Sequence, residues 1–186
     1  MKIFYDTEFI EDGRTIDLIS IGMVAEDGRE YYAVNSEIDQ WVGSEELHKR
    51  IANHRWLIEN VVPHLPLSSP PSRTNSSWIW SLDKRSTLVK PHWVIANEVR
   101  DFILGIPERE LWAWYAAYDH VALCQLWGSM ISLPDGIPMW TNDLKQEAER
   151  LGNPQVPQQA EGEHNALADA RHNLVIAGFL AGLAVA

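Results

Sequence analysis

Cysteine is almost missing from this chain. Cys124 stands alone, so no internal disulfide can form, and a reducing, cytoplasmic compartment is expected. Basic residues are scarce as well. Only 15 Lys and Arg face 26 Asp and Glu, and the net charge of −11 excludes a protein that grips long nucleic acid over its whole surface. It leaves room for a nuclease, because a site built of carboxylates is itself negative until divalent cations load and has to hold only a strand end. No apolar run has membrane length. Leu174 to Ala186 covers 13 residues, short of the roughly 17–25 that a spanning helix needs, so a buried or dimer-contact helix is expected and no membrane partner. A signal peptide is not expected either, since acidic residues appear by position 6 with no apolar stretch before them.

What is present suits one α/β domain. The 186 residues, 46% of them hydrophobic, can bury a sizeable core, and a single domain over 1–186 is expected with an insertion or long loop within about 36–95. Nine tryptophans are unusual; most read as packing residues, with one or two available to stack on nucleobases.

Along the chain, Lys2–Ile10, Asp17–Glu26 and Glu30–Asn35 read as strands joined by a polar turn at Glu11-Asp12-Gly13-Arg14 and a hairpin signal at Asp27-Gly28. Short turns make this start antiparallel. From Ser44 to Val62, apolar residues spaced mostly by three and four predict a helix. His64–Lys90, with Pro66, Pro70, Pro71 and many serines, reads as a long loop in which Trp78-Ile79-Trp80 is a tethering patch or a short strand. A helix over Val94–Leu104, a strand over Glu110–Tyr115, and helices over His120–Trp127, Leu144–Leu151 and Ala166–Ala184 follow, with a polar linker at Asn153–Gly162. The whole predicts a mixed sheet flanked by helices.

The most informative segment is Phe4-Tyr5-Asp6-Thr7-Glu8-Phe9, an apolar run carrying two acids. Residues i and i+2 of a strand share a face, so Asp6 and Glu8 point to one spot. Carboxylates in such a setting cost several kcal/mol unless compensated, and metal coordination compensates them. Asp119 follows a strand that ends in small residues and is expected as a helix N-cap. His164 and Asp169 lie five residues apart, which on one helix means about 140° of rotation and about 7.5 Å of rise. They can face one centre if His164 stands in the loop before the helix, Asn165 caps it and Asp169 lies in its second turn. Individually each residue has a bland reading: a cap, a loop histidine, a solvated acid paired with Arg171 or His172.

As a set, Asp6-Thr7-Glu8, Asp119 and His164-x4-Asp169 resemble the DEDDh family of 3′–5′ exonucleases on the ribonuclease H-like fold. Asn165 occupies the place where the sister class carries tyrosine, which excludes that class. Within the family the likeness is to the mycobacterial-type polyadenylate-specific exoribonucleases. It lies in Phe4 through Gly13, Ile19-Ser20-Ile21-Gly22, Val24 through Tyr32, Leu111-Trp112-Ala113-Trp114 and Ala117 through Leu123. The resemblance implies an α/β ribonuclease H-like fold, antiparallel then parallel, and release of nucleoside 5′-monophosphates from single-stranded RNA 3′ ends, with a leaning to adenine-rich RNA. It also implies two Mg²⁺ (or Mn²⁺) held by Asp6, Glu8, Asp119 and Asp169, and His164 as the base that takes the proton from the attacking water. Thr7, Phe9, Leu18, Ser20, Trp114 and Tyr118 are the candidate substrate-binding residues, and a homodimer is the expected assembly. A DNA 3′–5′ exonuclease and a non-catalytic nucleic-acid-binding module are the alternative readings.

Overall fold

The first strand, β1 (Lys2–Glu11), runs through the middle of the sheet, with apolar side chains on both faces. The structure is a computed structural model describing residues 1–74 and 77–184. After β1 come β2 (Ile16–Ala25), β3 (Glu30–Asn35), α1 (Glu45–Ala52), α2 (Arg55–Asn60), β4 (Leu67–Arg73), β5 (Trp78–Leu82) and β6 (Val89–Lys90). The second half holds α3 (His92–Leu104), β7 (Glu110–Ala113), α4 (Ala117–Gln125), β8 (Asn142–Asp143), α5 (Leu144–Arg150) and α6 (Ala166–Ala184). Six strands form the main sheet in the order β6-β3-β2-β1-β7-β8. The first three pair antiparallel, while β7 joins β1, β8 joins β7 and β6 joins β3 in parallel. The sheet is mixed as expected, antiparallel at its start and then parallel, with helices on its faces. No helix among the described residues is long and apolar enough to cross a membrane.

The alternation of β1 sorts the core. Ile3 and Tyr5 pack with Ile95, Val99 and Ile103 of α3 and Ala122 and Leu123 of α4. On the other face Phe4 packs with Leu144 and Ala148 of α5 and Ile176 and Leu180 of α6. Ile10 belongs to a separate apolar cluster with Leu47 and Ile51 of α1, Leu57 and Ile58 of α2, and Trp80 and Leu82 of β5. Asp6 and Glu8 fall between these last two clusters, so the face they occupy is walled by packed helices on both sides and left polar in the middle.

Gly22 lets α6 close on that gap. It pairs across from Asp6, and a Cβ there would stand 2.3 Å from the carbonyl carbon and oxygen of Ala166 and from the nitrogen of Leu167. That is backbone, which cannot swing aside. Gly22→Ala is expected to cost about 1–3 kcal/mol of stability by overpacking, and to lower the rate about a hundredfold by moving His164 and Asp169 by an ångström. Thermal melts beside single-turnover RNA cleavage check it; unchanged cleavage would show that the helix start has slack.

Several local expectations are corrected. The predicted helix over Ser44–Val62 is two helices, because Ser44 Oγ accepts the Leu47 N–H (3.2 Å) and His54 Nδ1 accepts the Leu57 N–H (3.3 Å), so each starts its own helix. His64–Lys90 is not a loop throughout: β4 and β5 pair as a hairpin whose Trp80 and Leu82 are buried. Asp39, itself buried, pins the hairpin by accepting the Leu82 N–H and the Ser81 hydroxyl, both at 2.7 Å. Pro70 and Pro71 are tolerated because a two-stranded ladder leaves each strand a free edge.

Candidate active site

Where parallel strands β1 and β7 part, β1 has an unpaired edge. Their pairing ends at Phe4 and Trp112, and β7 turns away through Tyr115, whose φ of 53° is a left-handed conformation rare for a bulky residue. The freed Thr7 N–H is taken by Asp119 Oδ1 (2.8 Å), which also accepts the Thr7 hydroxyl (2.7 Å). Asp119 therefore lies inside the first turn of α4, which begins at Ala117, and does not serve as the expected N-cap. Both bonds fall on one oxygen. No protein donor reaches Oδ2 among the described residues. Crevices at the carboxyl ends of adjacent parallel strands are the usual place for ligands in α/β sheets.

The other wall comes from the start of α6. Asn165 caps the helix, its Oδ1 accepting the Ala168 N–H at 3.1 Å. His164 precedes the cap with a φ of 65°, and its backbone N–H donates to Asp169 Oδ2 at 2.9 Å. Asp169 lies in the first helical turn, one turn earlier than expected. Ligating atoms of Glu8, His164 and Asp169 lie within 4.8 Å of one another. Asp6, His164 and Asp169 line one cleft of about 300 Å³ together with Trp114, Gln159, Asn173 and neighbouring residues. Asp6 and Glu8 of β1 are thus brought beside His164 and Asp169, and Asp119 stands near enough for its charge to act on both β1 acids.

The family described as 3′–5′ exoribonuclease Rv2179c-like domain matches residues 1–180. The chain belongs to the Rv2179c-like 3′–5′ exoribonuclease family. Two relatives, the 3′–5′ exoribonuclease Rv2179c of Mycobacterium tuberculosis H37Rv and the 3′–5′ exoribonuclease MT2234.1 of strain CDC 1551, are each 45% identical over 177 residues, covering 94% of this chain and 89% of the relative. Among solved structures, S. pombe Pop2p in its Mg²⁺- and Mn²⁺-bound form aligns with a TM-score of 0.49 at 12% identity, covering 97% of this chain and 81% of that one.

The electrostatics of the cleft are one-sided. Burial raises the Asp6 carboxyl well above the usual carboxylate range, although part of the residue opens to the cleft, and the charges of Asp119, Glu8 and Asp169 push it further. Glu8 is raised to about 8 by burial first, then by Asp169 and Asp119. Asp119 rises to about 6 because burial outweighs its two bonds from Thr7, and burial raises Asp169 as well. None of the four has an ion pair with Lys or Arg among the described residues. Four crowded, unpaired acids with all-oxygen donors fit Mg²⁺ or Mn²⁺.

This has a measurable consequence. A folded-state value near 8 for Glu8, against an ordinary 4.5, means the folded protein binds that proton more tightly than the unfolded chain does. Stability of the metal-free protein should then fall as pH rises from about 4.5 through about 8, by on the order of a few kcal/mol at ~1.4 per pKa unit. Melting temperatures in EDTA across that range check it. Glu8→Gln should flatten the profile, and Mg²⁺ should restore the loss at pH 8.

Several participants escaped sequence reasoning. Gln159, in the polar linker, donates its Nε2–H to Asp169 Oδ1 at 2.7 Å. Asn173 Nδ2 donates to the carbonyl of Tyr5 at 3.1 Å, fastening α6 beside Asp6. Asp143 accepts the Ala116 N–H at 2.9 Å, steadying the turn before α4, and its charge adds to the upward push on Asp119. Trp56 of α2 packs against the His164 imidazole in a T-shaped contact with ring centroids 4.7 Å apart. The one legible signal was the excess of tryptophan.

The candidate substrate residues divide. Phe9 and Tyr118 stack at 6.1 Å with planes 14° apart, and Tyr118 is exposed. Trp114 lines the cleft. Thr7 is buried with its hydroxyl committed to Asp119, and Leu18 and Ser20 are buried in the sheet.

Proposed function

We propose that the protein is a divalent-metal-dependent 3′–5′ exoribonuclease that releases nucleoside 5′-monophosphates from the ends of single-stranded RNA. The observation that carries this reading is a cleft lined by Asp6, Asp169 and the His164 imidazole, with Glu8 within ligating reach of His164 and Asp169, Asp119 near enough for its charge to act on Asp6 and Glu8, and no ion pair from Lys or Arg to these acids among the described residues. The four carboxylates would hold two Mg²⁺ or Mn²⁺, which when bound supply Lewis-acid activation of a water and charge stabilisation at the leaving oxygen.

The remaining chemistry belongs to the chain. His164 takes the proton of the attacking water, and its left-handed backbone with the Asp169 bond fixes where the ring stands. Gln159 holds Asp169 in place, and Thr7 does the same for Asp119. Phe9 and Tyr118 offer an aromatic surface beside the acids for the terminal base. A leaning to adenine-rich RNA follows from the family resemblance. A homodimer, in turn, is supported by the exposed Val121, Met130, Ile131, Met139 and Trp140 on and after α4.

Digestion of a labelled RNA panel, with an adenine homopolymer and matched DNA strands, tests reaction, polarity and preference together. Mononucleotide release from RNA 3′ ends that stops in EDTA and returns with Mn²⁺ is the expected result. Full activity in EDTA would overturn the metal dependence, and faster digestion of DNA would favour the DNA exonuclease.

A further inference from the structure

Among the described residues, no Lys or Arg lines the cleft that holds Asp6 and Asp169, in a chain that carries a net charge of −11. An RNA strand threading into it brings a phosphate with every nucleotide upstream of the cleaved bond. Cations for those phosphates have to come from elsewhere.

They occur on a neighbouring stripe of α2. A larger cavity of about 390 Å³, between that helix and the β4–β5 hairpin, is lined by Asn53, Arg55, Glu59, Arg73, Ser77 and Trp78 among others. Arg55 is exposed and spends one donor on Glu59 at 2.7 Å, and a guanidinium has further donors to offer. Arg73 pairs with Trp78 through the backbone ladder, its side chain makes no ion pair or hydrogen bond among the described residues, and the residue is exposed. Asn53 and Ser77 add neutral donors, and the half-buried Trp78 an aromatic wall.

One helix joins the two cavities. Trp56, 48% exposed, touches His164 in the catalytic cleft, while its neighbour Arg55 and Glu59, one turn on, line the second cavity. Consecutive helical residues differ by about 100°, so the two stripes adjoin. A strand leaving the cleft past the Trp56 indole meets the arginines next.

We propose that the cavity between α2 and the β4–β5 hairpin is a second RNA subsite. It receives nucleotides upstream of the cleaved one, with Arg55 and Arg73 on their phosphates and Trp78 against a base. The inference rests on the exoribonuclease reading of the cleft and gives the 36–95 segment a task in substrate binding.

The test is the double variant Arg55→Ala/Arg73→Ala, with both positions exposed enough to leave folding alone. Its kinetics are compared with wild type on a dinucleotide and on an RNA long enough to cross α2. Expected are a rise of about tenfold in KM for the long RNA, an unchanged kcat and unchanged dinucleotide cleavage. The log–log salt dependence of KM should weaken by about 1.4, from ~0.7 per lost phosphate contact on a single strand. Arg55→Lys/Arg73→Lys should restore most of the KM. An unchanged KM and salt slope on long RNA would overturn the subsite, as would equal losses on both substrates, which would mean the catalytic cleft itself had been disturbed. A wild-type protein inactive on both RNAs would bring down the exoribonuclease reading and the subsite with it.

Discussion

Replacing Asp6 with Asn is expected to lower nucleotide release by at least about a thousandfold while raising the melting temperature of the metal-free protein. The two effects have one origin. Asp6 lies where burial and the charges of Asp119, Glu8 and Asp169 all oppose its ionisation, so ionising it destabilises the metal-free protein. Asn keeps the shape and removes the charge. It also removes an acid near enough to Asp119, Glu8 and Asp169 for their charges to act on it, and loss of one member of a group acting as a unit costs about as much as loss of the whole. Single-turnover release from a labelled RNA, with melts in EDTA and in Mn²⁺, measures both. A slower variant with a lowered metal-free melting temperature would mean that Asp6 is a structural residue.

His164→Ala is expected to slow hydrolysis by about 10²–10⁴, the usual contribution of a positioned base, and to leave Mg²⁺ and Mn²⁺ uptake nearly intact. The imidazole stands within 4.8 Å of ligating oxygens of Glu8 and Asp169, so it has the reach of a ligand as well as of a base. Hard cations favour carboxylate oxygens over an imidazole, and on the proposed mechanism the ring is the group that moves the proton. Metal titration by calorimetry beside the rate separates the two roles. If uptake fell in step with the rate, His164 would have to be counted among the ligands and another base sought. Trp56→Ala provides a companion measurement, since the indole packs on the ring; a fall in kcat with little change in KM would mark it as a positioning residue.

Strands announced themselves through alternation and turn chemistry. Asp27-Gly28 set the β2–β3 hairpin, where Gly28 takes a φ of 87°, and Glu30–Asn35 is a strand with the expected bounds. The C-terminal helix likewise spans Ala166–Ala184. Local patterns faltered where a distant partner decided the outcome. The β4–β5 hairpin carries prolines and serines that read as loop, and it is ordered by Asp39, more than forty residues from Leu82 along the chain. Asp119 looked like a cap because caps are local, yet it bonds to Thr7, 112 positions earlier. Gln159 and Trp56 had no local signature at all, since each acquires its place only by touching the His164–Asp169 pair.

The sequence by itself determined the type and order of the main elements and nominated the acids and histidine, because periodicity and residue chemistry are carried by neighbours along the chain. Tertiary structure decided whether those residues form one centre. That depended on the close approach of α6 at Gly22, the parting of β1 from β7 and the gap between two apolar clusters at Asp6 and Glu8. Each arises from packing between segments far apart in the chain, where excluded volume and unpaired backbone donors, rather than local propensity, set the geometry.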